Sequence, residues 1–213
     1  MSEVAVAHPM TPALAKTANV AAKASLVLLL VLALLYPDQG NLRDKAAGMR
    51  AVGYPLVSFT VPLLWWTLWR DRMSFPWVPD LLITITCFTD ILGNRMDLYD
   101  TVVWFDDWMH FMNTGLLAVA LVLLTLPHWS GPLRTVERAL AFGATSAIAW
   151  ELAEYYAFIR GSSERTFAYA DTLGDLALGT AGAVVGGLAV HHLRQRGRLL
   201  DPPAVLPRER VRT

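Results

Sequence analysis

The chain has 213 residues, 54% of them hydrophobic and 17% charged, with a mean hydropathy of +0.39. Soluble domains carry roughly a quarter charged residues, so the composition argues against a soluble domain and for an all-α, polytopic membrane helix bundle. The formal net charge is zero, no basic stripe offers a nucleic-acid face, and the single cysteine, Cys87, excludes an internal disulfide or a thiolate metal cage.

A span needs about 20 apolar residues to cross the hydrocarbon of a bilayer, and six stretches qualify. The first, residues 18–36, follows Lys16 and Lys23 but no small-x-small cleavage site, so it reads as an uncleaved span with Lys23 snorkelling to the interface. The second, 51–69, ends in Trp65, Trp66 and Trp69 and then Arg70 and Arg72. The third starts after Pro76 and Pro79, residues suited to a first helical turn, and runs to Asn94. Residues 95–105 are either loop or an early extension of the next helix. The fourth span is 106–126, stopped by Pro127; the fifth is 138–158 and the sixth 171–193. This gives a tail (1–17), a six-helix domain (18–193) and an Arg/Pro-rich tail (194–213).

Six spans put both termini on one side. That side holds Lys16, Lys23, Arg70, Arg72, Arg134, Arg138 and the arginines of the C-terminal tail, more than Arg43, Lys45, Arg50, Arg95, Arg160 and Arg165 opposite. The positive-inside rule places both termini in the cytoplasm of a bacterial inner membrane.

With this topology the intramembrane charges converge. Asp90 and Asn94 fall at the outer end of span three. Asp106, Asp107, His110 and Asn113 open span four, Glu151 and Glu154 near the end of span five, and Asp171 and Asp175 open span six. Random placement would scatter such residues between alternate ends. The i, i+3 and i, i+4 spacings put each pair on one helix face. On span six that face continues through Gly179, Gly182 and Gly186, small residues that admit a close neighbour or a second copy of the chain.

A carboxylate near mid-bilayer costs about 2.5–3.5 kcal/mol on the insertion scale, and only Arg95, Arg160 and Arg165 lie nearby in sequence on that side. A shared divalent ion or shared protons would relieve the cost. Asp106, Asp107, His110, Glu151, Glu154, Asp171 and Asp175 are the candidate metal ligands, and an oxygen-rich set with one histidine suits Mg²⁺ or Mn²⁺. Asp90, Asn94 and Asn113 form an adjoining polar group, with Trp150 placed to wall the site. Asp106, Asp107 and Asp171 also satisfy the plain preference of acidic residues for helix N-termini; Asp175, Glu151 and Glu154 lie beyond that first turn.

Three segments in order, Phe105-Asp106-Asp107-Trp108-Met109-His110-Phe111, Glu151-Leu152-Ala153-Glu154-Tyr155 and Asp171-Thr172-Leu173-Gly174-Asp175, resemble the YjdF-like family of uncharacterised bacterial inner-membrane proteins. The resemblance covers residues 80–190 and leaves the first two spans unmatched. It implies a membrane bundle and carries over Asp106, His110, Glu151, Glu154, Asp171 and Asp175, without naming a reaction.

Three function classes stay open at this point. One is a metal-dependent hydrolase or transferase acting on membrane lipids or lipid-linked phosphates. The others are a proton- or cation-coupled transporter and a non-catalytic assembly protein.

Overall fold

The computed structural model describes residues 13–36, 47–71, 73–157 and 159–199, and among these every regular element is helical. Most of both expected tails, and the flanking residues Arg43, Lys45, Arg72 and Phe158, lie outside the described residues. The elements are α1 (Ala13–Leu35), α2 (Ala47–Ser58), α3 (Thr60–Leu64), a π turn (Trp65–Trp69), α4 (Trp77–Arg95), α5 (Leu98–Thr101), α6 (Phe105–Thr125), α7 (Pro132–Ala157) and α8 (Ala168–Gln195). Each expected span coincides with a helix. Helices α1, α7 and α8 start one to two turns earlier than hydropathy indicated, because polar residues such as Lys16, Arg134 and Glu137 are good helix formers beyond the apolar run. The undecided stretch 95–105 is resolved as the one-turn helix α5 and a short link.

By length and apolarity α1, α6 and α8 can each cross a membrane, and α2 with α3 can do so as one bent span. Helices α4 and α7 fall outside that test, since α4 buries Asp80, Thr84, Thr86, Asp90 and Asn94, and α7 carries Glu137, Glu151 and Glu154. The chain is thus a multi-pass membrane protein with three to four spans identifiable by apolarity alone.

The second expected span, 51–69, is broken into α2, α3 and the π turn. Its two halves meet at 41°. Pro62 has no N–H to give the carbonyl four residues before it, which is that of Ser58. Lys23 of α1 donates to that carbonyl. Its ammonium also donates to Asp80 Oδ1 at 3.0 Å and Thr84 Oγ1 at 2.7 Å, while Asn19 Nδ2 donates to Asp80 Oδ2 at 2.7 Å. Lys23 therefore does not snorkel. It is an interior cation, and α1, α2 and α4 converge on it.

Above this network Leu26, Leu30, Ala33, Tyr54, Cys87 and Ile91 pack into an apolar layer between α1, α2 and α4. A second core joins α6, α7 and α8 through Ala118, Val122, Ala139, Ala183 and Val190. The glycines set its spacing. A Cβ on Gly182 would collide with the Phe111 carbonyl, and one on Gly115 would lie 2.9 Å from the Gly182 carbonyl. The Gly182/Gly186 face thus packs against α6 of the same chain. Arg194, expected as a flanking charge, is 6% exposed and donates to the carbonyls of Val122 (3.4 Å), Leu126 (2.8 Å) and Pro127 (3.3 Å), capping α6. Because α8 and α6 are held backbone to backbone, Gly182→Ala is expected to cost at least the roughly 1–3 kcal/mol of an overpacked core. Gly174→Ala, whose Cβ meets nothing within 4 Å, should be neutral in the same thermal unfolding assay in detergent.

Candidate metal centre at the acidic end of the bundle

The tight α6–α8 and α7–α8 contacts bring the acidic ends of three helices together around one imidazole. His110 follows Asp106 by one turn, so both share a face of α6. Its Nε2 lies 3.4 Å from Asp106 Oδ1 and 3.7 Å from Asp175 Oδ1 of α8. Its Nδ1 lies 3.6 Å from Glu151 Oε1 of α7. Thr172 Oγ1 donates to Glu151 Oε2 at 3.0 Å and fixes that carboxylate. Glu154, one turn beyond Glu151, completes the group.

Burial grades the set. Asp175 is 3% exposed, Glu151 7% and His110 9%, so these three are withdrawn from solvent. Asp106 and Glu154 are half-buried, whereas Asp107 and Asp171 are exposed. Among the described residues, the basic side chain that lies beside these buried carboxylates is His110. Its contacts, at 3.4–3.7 Å, are longer than good hydrogen bonds, and Glu151 Oε1 is buried without a hydrogen-bond partner.

Such spacing suits a shared ion. Ligand atoms of Asp106, His110 and Asp175 lie within 4.8 Å of one another, as do those of His110, Glu151 and Glu154. Two donors on one divalent ion at about 2.0–2.3 Å can be no more than about 4.6 Å apart, so small side-chain shifts close either triad. The cluster can therefore hold a metal ion. The first triad has the more usual logic: one ring nitrogen on the ion, the other N–H directed at a carboxylate that sets tautomer and orientation. Glu151, pinned by Thr172, occupies that orienting place.

The remaining sequence-selected residues divide into two groups. Asp107, next to Asp106 and hence turned about 100° around the helix, is exposed and stands in neither triad. Asp171 lines the cavity described below without joining a triad. Asp90 and Asn94 form a separate network. Asp90 accepts from Arg50 Nε at 3.0 Å, Tyr99 Oη at 2.9 Å, Asn94 Nδ2 at 3.4 Å and the Tyr54 hydroxyl. Asn113 accepts from Thr89 Oγ1 at 3.4 Å. Sequence reasoning looked for cationic partners among neighbours in sequence and so missed Arg50, which reaches Asp90 from another helix, and Tyr54 and Tyr99 with it.

Both networks face a single cavity of about 1220 Å³. Asp106, His110, Glu154 and Asp171 line it together with Arg50 and Asp90, and Trp150, expected to wall the site, is also among its lining residues. Glu151 and Asp175 stand behind His110. Around the same end Val103, Trp104, Trp108, Tyr156, Phe167 and Tyr169 are exposed, the composition of an interfacial belt.

Among known proteins, a family described as predicted membrane proteins, DUF2238, matches residues 18–196. Neither a curated protein nor a solved structure matches the chain. The match reaches past the YjdF-like motifs of residues 80–190 to include the first two spans. With the acidic motifs, the glycine-packed helices and the apolar spans all inside that match, the chain belongs to the DUF2238 family of predicted membrane proteins.

Proposed function

We propose that this protein is a divalent-metal-dependent membrane hydrolase or transferase acting on lipids or lipid-linked phosphates. In this reading six helices span a bacterial inner membrane, both termini are cytoplasmic, and the site lies near the outer leaflet. The observation that carries it is His110 held between carboxylates from three helices, with one buried carboxylate oxygen, Glu151 Oε1, left without a hydrogen bond. A dry cluster of this kind favours a bound cation over bare charge. The hard oxygen donors favour Mg²⁺ or Mn²⁺.

In this assignment Asp106, His110 Nε2 and Asp175 hold the ion, and Glu151 orients His110 through Nδ1–H. A divalent ion there would supply charge stabilisation to a phosphoryl group or acidify a water. Glu154, half-buried on the cavity wall, is positioned to accept a proton from the attacking group. Arg50, held in place by Asp90 and Tyr54, lines the same space with a charge suited to a phosphate.

A transport pathway is less well supported. The Asp80–Lys23 network and the Asp90–Arg50 network are the polar groups at the two ends of α4, and the apolar layer of Leu26, Leu30 and Ile91 lies between them. An assembly role would need no metal. The enzyme reading is tested by incubating the purified protein with phosphatidic acid or an isoprenoid diphosphate in Mg²⁺ or Mn²⁺ and following phosphate release or transfer. Metal-dependent turnover that falls at least 100-fold in Glu154→Gln is expected. Turnover equal in wild type and variant, or unchanged by a chelator, would remove the assignment.

A further inference from the structure

The cavity has a direction. On each of three helices a polar side chain at the acidic end is followed, deeper in the bundle, by an apolar one on the same wall. Leu117 lies seven residues beyond His110, Val57 seven beyond Arg50, and Phe142 twelve before Glu154. At 1.5 Å per residue these offsets are about 10, 10 and 18 Å. The charged lining residues thus lie at one end, and beyond them over the length of a hydrocarbon chain segment the lining is uncharged, with Thr86, Thr114 and Ser146 among apolar side chains. At about 1220 Å³ it exceeds the roughly 300–1,000 Å³ of an ordinary small-ligand pocket.

It also has a side. The close partners of α2 are α1 and α4, and those of α7 are α6 and α8. Cavity-lining residues nevertheless come from both α2 and α7, including Val57, Ala149 and Ala153, all of them solvent-exposed in the protein alone. Beside them Leu56 on α2, Phe59 just after it, and Ile148 and Leu152 on α7 are 42–69% exposed, so the rims of this opening are apolar. Within a bilayer such an opening meets acyl chains rather than water.

We infer that the groove between α2 and α7 is a lateral slot for one hydrocarbon chain of a phosphate-bearing lipid, the headgroup lying between Arg50 and the His110 wall. The headgroup placement rests on the metal-dependent reading above; the chain slot does not. The small side chains Ala149 and Ala153 line the groove and leave it open.

The test uses the full-length protein in phosphatidylcholine vesicles containing phosphatidic acid with a photoreactive diazirine midway along one acyl chain. Labelling is mapped by mass spectrometry. Expected is labelling concentrated between Phe142 and Ala153 and near Leu117. Ala149→Trp should lower it at least tenfold while leaving bound Mn²⁺ unchanged. Leu188→Trp, at an exposed α8 position outside the cavity lining, should leave it intact. Labelling spread equally over the exposed α1 residues Val27, Val31 and Leu34, or insensitive to Ala149→Trp, would overturn the slot. Groove labelling in a protein that binds no Mn²⁺ would support the slot and remove the metal reading instead.

Discussion

Asp175→Ala is expected to abolish stoichiometric divalent-metal binding, and Glu151→Gln to weaken it by about 10–100-fold, the usual range for a residue that orients a ligand. The ranking follows from geometry. Asp175 shares His110 Nε2 with Asp106, so removing it leaves that face of the imidazole with only Asp106, a half-buried carboxylate. Glu151 stands at the other nitrogen, tied to Thr172, and its amide would still hold the ring, though with less basicity. Isothermal titration with Mn²⁺ measures both variants. Equal losses would make Glu151 a direct ligand and shift the ion to the Glu151/Glu154 side; an unchanged Asp175→Ala would place the ion elsewhere.

The second large effect concerns the opposite end. Lys23→Ala is expected to destabilise the protein by about 3–5 kcal/mol, the cost of stranding one member of a buried ion pair. Asp80 is fully buried and would keep only Asn19 as a side-chain partner. The double variant Lys23→Met/Asp80→Asn should recover most of this loss, because no buried charge is then uncompensated. A residue of about 1–3 kcal/mol should persist, since the Ser58 carbonyl freed by Pro62 loses its donor. Unfolding in a mild detergent series reads all three variants. A single variant as stable as wild type would mean that water serves this site, contrary to its burial.

Together these two ends explain how the fold presents the site. Lys23 pins α1, α2 and α4 at one end, and the glycine contacts of α8 draw α6 and α7 into register at the other. Register matters because one helical turn, about 5.4 Å, would separate His110 from Asp175 altogether.

Much of this was legible in the sequence. Apolar length placed the helices, and alternation of direction predicted that Asp106, His110, Glu151, Glu154 and Asp175 would meet, since each sits within a few turns of the same boundary. The i, i+4 spacing of Asp106 and His110 gave their shared face, and the Gly179–Gly186 run gave the face of α8 that packs against α6. Less legible was anything depending on which helices become neighbours. Arg50 pairing with Asp90, Lys23 with Asp80, and Arg194 with the end of α6 all join residues 40 or more positions apart. Periodicity carries no information on such pairings. Lys23, Arg50 and Arg194 were all read as flanking charges for that reason. The break in the second span was readable: Pro55 and Pro62 both stand inside it, and either removes an intrahelical hydrogen bond. Asp107 shows the limit of composition, because an acidic neighbour one position away points to a different face.

The central claim is that His110 ligates a divalent ion among these carboxylates. The most direct measurement is pulsed electron paramagnetic resonance of the purified protein loaded with Mn²⁺, in wild type and in His110→Gln. Expected is close to one bound Mn²⁺ per chain with hyperfine coupling to a single imidazole nitrogen, and loss of that coupling in the variant. Bound Mn²⁺ with no nitrogen coupling, or no Mn²⁺ retained by wild type after dialysis, would contradict it.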